Sequence, residues 1–154
     1  MKINIDVDDS LQEDRITIHC REITEEIIRL QRLLAEQHPR GQTLSAYIDD
    51  TEYFIDVNSV LFMEAEGNYI SLHTTQSIYK IRQRLYELEE LLPRAFVRIS
   101  KSTIVNTDEI SSIKKNIVGA SEVAFRNCPK KAFASRNYIK SLLQIMDEKR
   151  LKNG

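Results

Sequence analysis

Residues 96–106 read FVRISKSTIVN. Phe96, Val97 and Ile99 surround a lone Arg98, so the stretch begins as a strand, and Ile104 and Val105 supply a second apolar pair before the turn-forming Asn106. Ser100, Lys101 and Ser102 interrupt the strand where the apolar run had room to continue. A flexible cation between two hydroxyls belongs in a loop, and the surrounding chain says what kind of sheet that loop leaves.

On the N-terminal side of this stretch the pattern is a meander of short strands. Leu44, Ala46 and Ile48 alternate with polar or amphipathic neighbours, Asp49-Asp50-Thr51 turns, and Tyr53 to Val57 returns. Val60 to Ala65 and Tyr69 to Thr74 follow, split by Glu66-Gly67-Asn68, and Ser77 to Ile81 comes after Thr75-Gln76. Leu85, Leu88 and Leu92 predict a helix from about Arg82 to Leu92, stopped by Pro93. Further strands fit Ile110 to Lys114, Ser121 to Phe125 and Lys131 to Ala134. Ser135 is placed to cap a final helix with Ile139, Leu142, Leu143 and Met146 on one face.

The start of the chain reads differently. Lys2 to Val7 alternates through Ile3, Ile5 and Val7, Asp8-Asp9-Ser10 turns, and Arg15 to Cys20 alternates again, so two strands are expected. Thr24 offers an N-cap to a helix carried by Ile23, Ile27, Leu30 and Leu34, with Glu25 and Glu26 favourably placed against its dipole. The breakers His38-Pro39-Arg40-Gly41 mark a boundary between this segment and the meander.

With 154 residues and 42% hydrophobic content, the chain can bury a real core. No run approaches the ~20 apolar residues of a membrane span, and MKINIDVDDS has no signal-peptide block, so a cytoplasmic protein is expected. Cys20 and Cys128 are read as reduced structural thiols. The net charge of −1 hides an asymmetry: residues 1–66 carry 6 basic and 15 acidic side chains, and residues 67–154 carry 16 and 8. Residues 93–140 alone hold ten basic and three acidic side chains. Such a face is either solvated or built for phosphates.

The ordered series LFMEAEGNYISLHT, an amphipathic helix, FVRISKSTIVN and FASRNYIKSL resembles the LytTR-type DNA-binding domain of bacterial transcription regulators. The resemblance covers about Gln42 to Met146 and rests on several motifs in order. It implies an α+β fold, a mainly antiparallel β domain with two helices over residues 42–150, here preceded by a short β-β-α segment over residues 1–41. Loops of such a domain enter successive DNA grooves in place of a recognition helix. Carried over residue by residue, the contacts fall on Asn68, Tyr69 and Ile70, on Ser100, Lys101 and Ser102, and on Arg136 and Asn137, with Arg98 bracing the loop or a phosphate. The commoner family pattern has a histidine and an arginine where Ser100 and Lys101 stand, so base preference at that contact does not carry over.

Side-chain chemistry agrees with these roles. Arg bonds two acceptors on a guanine edge, Asn does the same for adenine, and Lys neutralises a phosphate or enters a narrow minor groove. Taken singly, Asn68 also suits a plain turn former, Lys101 a solvated cation, and Arg136 the partner of a carboxylate. The implied partner is double-stranded DNA, and a homodimer on that DNA is expected where the first helix pairs with a second subunit. A membrane-bound regulatory protein encoded nearby is a second candidate partner, since compact relatives without a receiver domain are often encoded beside one. The apolar stripe of the first helix, widened by Ile28 and Leu33, fits packing on the same chain as well as pairing with a second subunit or a regulatory partner.

Two other readings carry less. IDVDD at residues 5–9 imitates the acidic pocket of a phosphoacceptor receiver, but fewer than fifty residues precede the meander and a receiver needs on the order of a hundred. An enzyme would have to use His19, His38, His73, the thiols or the hydroxyls beside Lys101, and none has metal spacing or a placed base. No catalytic residue, metal, cofactor or small-molecule substrate is expected. The alternative to a DNA-binding regulator is a protein-interaction module with a basic face and no sequence-specific DNA binding.

Overall fold

A computed structural model describes residues 2–12, 14–37 and 42–153, with side chains of 35–37 and 151–153 left aside. The expected boundary cluster His38-Pro39-Arg40-Gly41 lies outside the described residues. The chain divides into two units, Met1–Arg40 and Gly41–Gly154. In the first, α1 (Glu25–Gln37) begins where Thr24 was expected to cap it: the Ile27 N–H donates to Thr24 Oγ1 at 3.3 Å and the Ile28 N–H to the Thr24 carbonyl at 3.0 Å. The strands expected at Lys2–Val7 and Arg15–Cys20 are not formed, and Ile3, Ile5, Val7 and Ile16 stay exposed. Two short strands alone bury too little apolar surface to hold a ladder in water.

The second unit is built from β1 (Thr43–Ile48), β2 (Thr51–Asp56), β3 (Phe62–Glu66), β4 (Tyr69–His73), β5 (Ile78–Ile81), α2 (Leu85–Leu91), β6 (Phe96–Arg98), β7 (Thr103–Asn106), β8 (Ile110–Lys114), β9 (Ser121–Phe125), β10 (Cys128–Ala134) and α3 (Arg136–Asn153). Seven strands form an antiparallel sheet in the order β2-β1-β5-β4-β3-β7-β6, and three form a second in the order β10-β9-β8. The α2 helix starts three residues later than Arg82, which leaves Arg82-Gln83-Arg84 as an exposed link after β5.

Alternation sends neighbouring side chains of the large sheet into two different cores. On one face Leu44, Met63, Leu72, Ile81 and Ile104 pack with Leu85, Leu88 and Leu92 at α2. On the other, Leu61, Phe62 and Val105 join Val123, Phe125 and Ala134 of the small sheet and Leu142 of α3. The two Phe rings stack with centroids 5.3 Å apart. The strand β7 therefore has both faces buried, and all four of its residues are buried. This is why Ile104 and Val105 stand side by side, and why sequence periodicity did not reveal β7 as a separate strand. Asn106 ends it with both ends of its amide used: Nδ2 donates to the Val60 carbonyl at 3.0 Å and Oδ1 accepts from the Asp108 N–H at 3.1 Å.

Candidate nucleic-acid interface

Three segments distant in sequence meet at one edge of the large sheet, the end where β3 turns into β4 and β6 into β7. The first is the two-residue turn between β3 and β4, where Glu66 pairs with Tyr69. Gly67 takes φ +66°, the conformation a tight hairpin requires at its first central position. Asn68 is not among the residues with positive φ, so the glycine supplies the turn and leaves an exposed Asn68 amide at its tip. Ile70 lies in the core beside α2, 5% exposed, and anchors the turn from beneath.

The second segment is the loop of residues 100–102. The Ile99 N–H donates to the Thr103 carbonyl at 3.0 Å and closes the loop, while the Ala65 N–H donates to the Ser102 carbonyl at 2.7 Å and straps it to β3. Within it the Ser102 N–H donates to Ser100 Oγ at 3.2 Å, and the two hydroxyls lie 3.3 Å apart. The serines thus shape the loop as much as they face outward, and Lys101 between them is exposed. The third segment is the start of α3, drawn alongside by a 2.8 Å bond from the Ser135 N–H to the Ile99 carbonyl. Arg136 and Asn137 are exposed there, at a helix end whose first N–H groups favour anions. Among the described residues, neither Lys101 nor Arg136 makes an ion pair.

Tyr69 and Arg98 are placed differently from these exposed groups. The Tyr69 hydroxyl donates to Glu66 Oε2 at 3.0 Å, and that hydrogen bond, then the carboxylate charge, hold the phenol above its usual pKa. Ser71 Oγ lies 3.4 Å from Glu66 Oε1 and 3.1 Å from His73 Nε2, which ties the turn down one face of β4. Donor atoms of Glu64, Glu66 and His73 lie within 4.8 Å of one another, with the Ser71 hydroxyl already bonding to this group. His73 stacks on Phe62 at 4.2 Å, and burial, then Lys130, lower its pKa to about 4 against a pull from Glu66. Arg98 faces α2, its Nε 3.5 Å from Glu89 Oε2 without hydrogen-bond geometry.

One edge thus gathers an exposed amide, an exposed lysine and an exposed arginine at a helix start. A family model described as the LytTr DNA-binding domain matches residues 50–147, and the chain belongs to that family. An HTH-type transcriptional regulator of Staphylococcus aureus (strain NCTC 8325 / PS 47), itself uncharacterized, is 29% identical over 142 residues, 92% of this chain and 95% of its own. A counterpart from strain MRSA252 is 28% identical with the same coverage. A solved LytTr DNA-binding domain from Bacillus cereus superposes with a TM-score of 0.63 at 20% identity, covering 69% of this chain and 97% of its own. The protein is a DNA-binding transcriptional regulator of the LytTr type. No helix among the described residues is long and apolar enough to cross a membrane.

Proposed function

We propose that the protein regulates transcription from the cytoplasm by reading specific duplex DNA through Asn68, Lys101, Arg136 and Asn137, with Tyr69, Ile70, Arg98, Ser100 and Ser102 holding the contact segments in shape. The observation that carries this reading is the pair of backbone bonds, Ala65 to Ser102 and Ser135 to Ile99, that join all three segments at one sheet edge. The helices α2 and α3 are separated in sequence by five strands, so a helix-turn-helix does not account for the recognition. Its activity is binding, with no catalytic step.

The N-terminal unit supports assembly. Residues 1–37 carry 5 basic and 9 acidic side chains, which disfavours phosphate contact, and Ile23, Ile28 and Leu33 are exposed. A second copy covering this surface would set two β domains on one DNA and turn two half-sites into one tight site. A membrane-bound regulatory protein is the competing occupant. The test is an anisotropy titration on the promoter of the protein's own operon against scrambled duplex, repeated over a salt series. Tighter binding to the promoter is expected, with a log–log salt slope of about −0.9 per phosphate neutralised. Equal affinity for both duplexes would leave a basic interaction module.

A further inference from the structure

The link between β5 and α2 carries two arginines that the three contact segments do not include. Ile81 pairs with Ile70, so Arg82, the next residue, runs beside Tyr69 at the same sheet edge as the Gly67–Asn68 turn. The β5 strand neighbours β4 on the side away from β3 and β7. Arg82 therefore extends the contact row by one strand spacing, ~4.8 Å, in the direction opposite to Lys101. Its guanidinium carbon sits 4.5 Å from the centre of the Tyr47 ring, and one row further from the edge Lys80 Nζ sits 4.6 Å from the centre of the Tyr69 ring.

Resting on the proposed DNA-reading edge, we propose that Arg82, with Arg84 beside it, forms a fourth contact that grips the phosphate backbone of the same duplex. An arginine laid on an aromatic face keeps its N–H edge free and loses little further freedom on binding, which suits bidentate capture of a phosphate. Arg82, Gln83 and Arg84 are all exposed, and among the described residues neither arginine makes an ion pair. The acidic groups on this face are Glu52, Asp56, Glu64 and Glu66, and Asp56, at the end of β2, accepts from the Asn58 N–H at 2.9 Å. Glu64 and Glu52 flank the Lys80 row, whereas Glu66, at the edge, already accepts from Tyr69. The free positive charge of this region is thus at the rim, on the two arginines. A phosphate contact carries no sequence information, so this contact adds affinity on every duplex alike.

The experiment compares the full chain with Arg82→Gln, Arg84→Gln and Arg82→Lys on promoter and scrambled duplexes across a salt series, with thermal melting to confirm folding. Arg82→Gln is expected to flatten the log–log slope by about 0.9 on both duplexes, and Arg84→Gln by up to the same amount. Arg82→Lys should restore the slope, because the charge returns. Binding by the parent chain with an unchanged slope in both glutamine variants overturns this contact alone. A change of sequence preference without a change of slope also overturns it, by making Arg82 a base reader. Failure of the parent chain to bind any duplex overturns the reading beneath it as well.

Discussion

The same alternating signal has two outcomes in this chain. Leu44 and Ala46 in β1 are buried, 6% and 0% exposed, whereas Ile3, Ile5 and Val7 near the N-terminus are 89%, 84% and 88% exposed and form no strand. Alternation states which side chains share a face; it supplies neither a neighbouring strand nor a lid. For β1 the chain provides both, with β2 and β5 on either side and the leucines of α2 over its inner face. A segment without such neighbours keeps its pattern unspent until something else covers it.

The largest expected effect comes from cutting the molecule at that contrast. A chain beginning at Gln42 keeps both cores, and should fold and bind a single half-site as the parent does. On paired half-sites it should lose most of an advantage of roughly 10²–10⁴, measured by titration alongside sedimentation. Loss of single-site binding by a folded short chain would place DNA contacts in the N-terminal unit. An unchanged sedimentation profile would remove assembly from it.

Next come core truncations in the two units. Leu88→Ala should cost about 2–5 kcal/mol in urea unfolding, since its side chain is fully buried under the large sheet. Ile5→Ala, measured at dilutions where the chain is monomeric, should stay within about 0.5 kcal/mol. Similar losses from both would mean that the N-terminal residues are buried after all.

Smaller effects are expected at the interface. Arg136→Ala and Asn137→Ala should each lose about 1–3 kcal/mol on the promoter and relax base preference, while Lys101→Ala weakens all duplexes alike. Full affinity in all three folded variants would move the DNA surface elsewhere. Smallest is a pH effect at His73. Its folded pKa of about 4 lies below the ordinary 6.5, so the unfolded chain binds more protons between those values. Stability present above pH 6.5 should fall as the pH drops toward 4, and His73→Gln should flatten that slope in pH-dependent melting.

Much of the β unit was legible because its strands are short, amphipathic and punctuated by turns. The Glu66-Gly67-Asn68 break, the stop at Pro93 and the Ile110–Lys114 and Ser121–Phe125 strands all follow from local pattern. The strand β7 was not, since burial on both faces erases periodicity. The helix at Leu85 also begins later than its spacing suggested, because the chain bends at Gln83 and Arg84 is extended, so the first helical residue is Leu85. At the candidate site, residue types were readable but their company was not: nothing in the spacing of Ser102 from Ala65, or of Ser135 from Ile99, announces a backbone bond. The two N-terminal stretches show the converse, a readable alternation that forms no strand.

The doubly buried β7 also sets how the β unit comes apart. Ile104 faces one core and Val105 the other, and their strand sits between β3 and β6. Neither core can open locally without disturbing this strand, so the amide protons of Ile104 and Val105 should exchange with solvent only when the whole unit unfolds. The loop carrying Lys101 leads directly into that strand, so the base of the loop should be among the last parts of the unit to exchange.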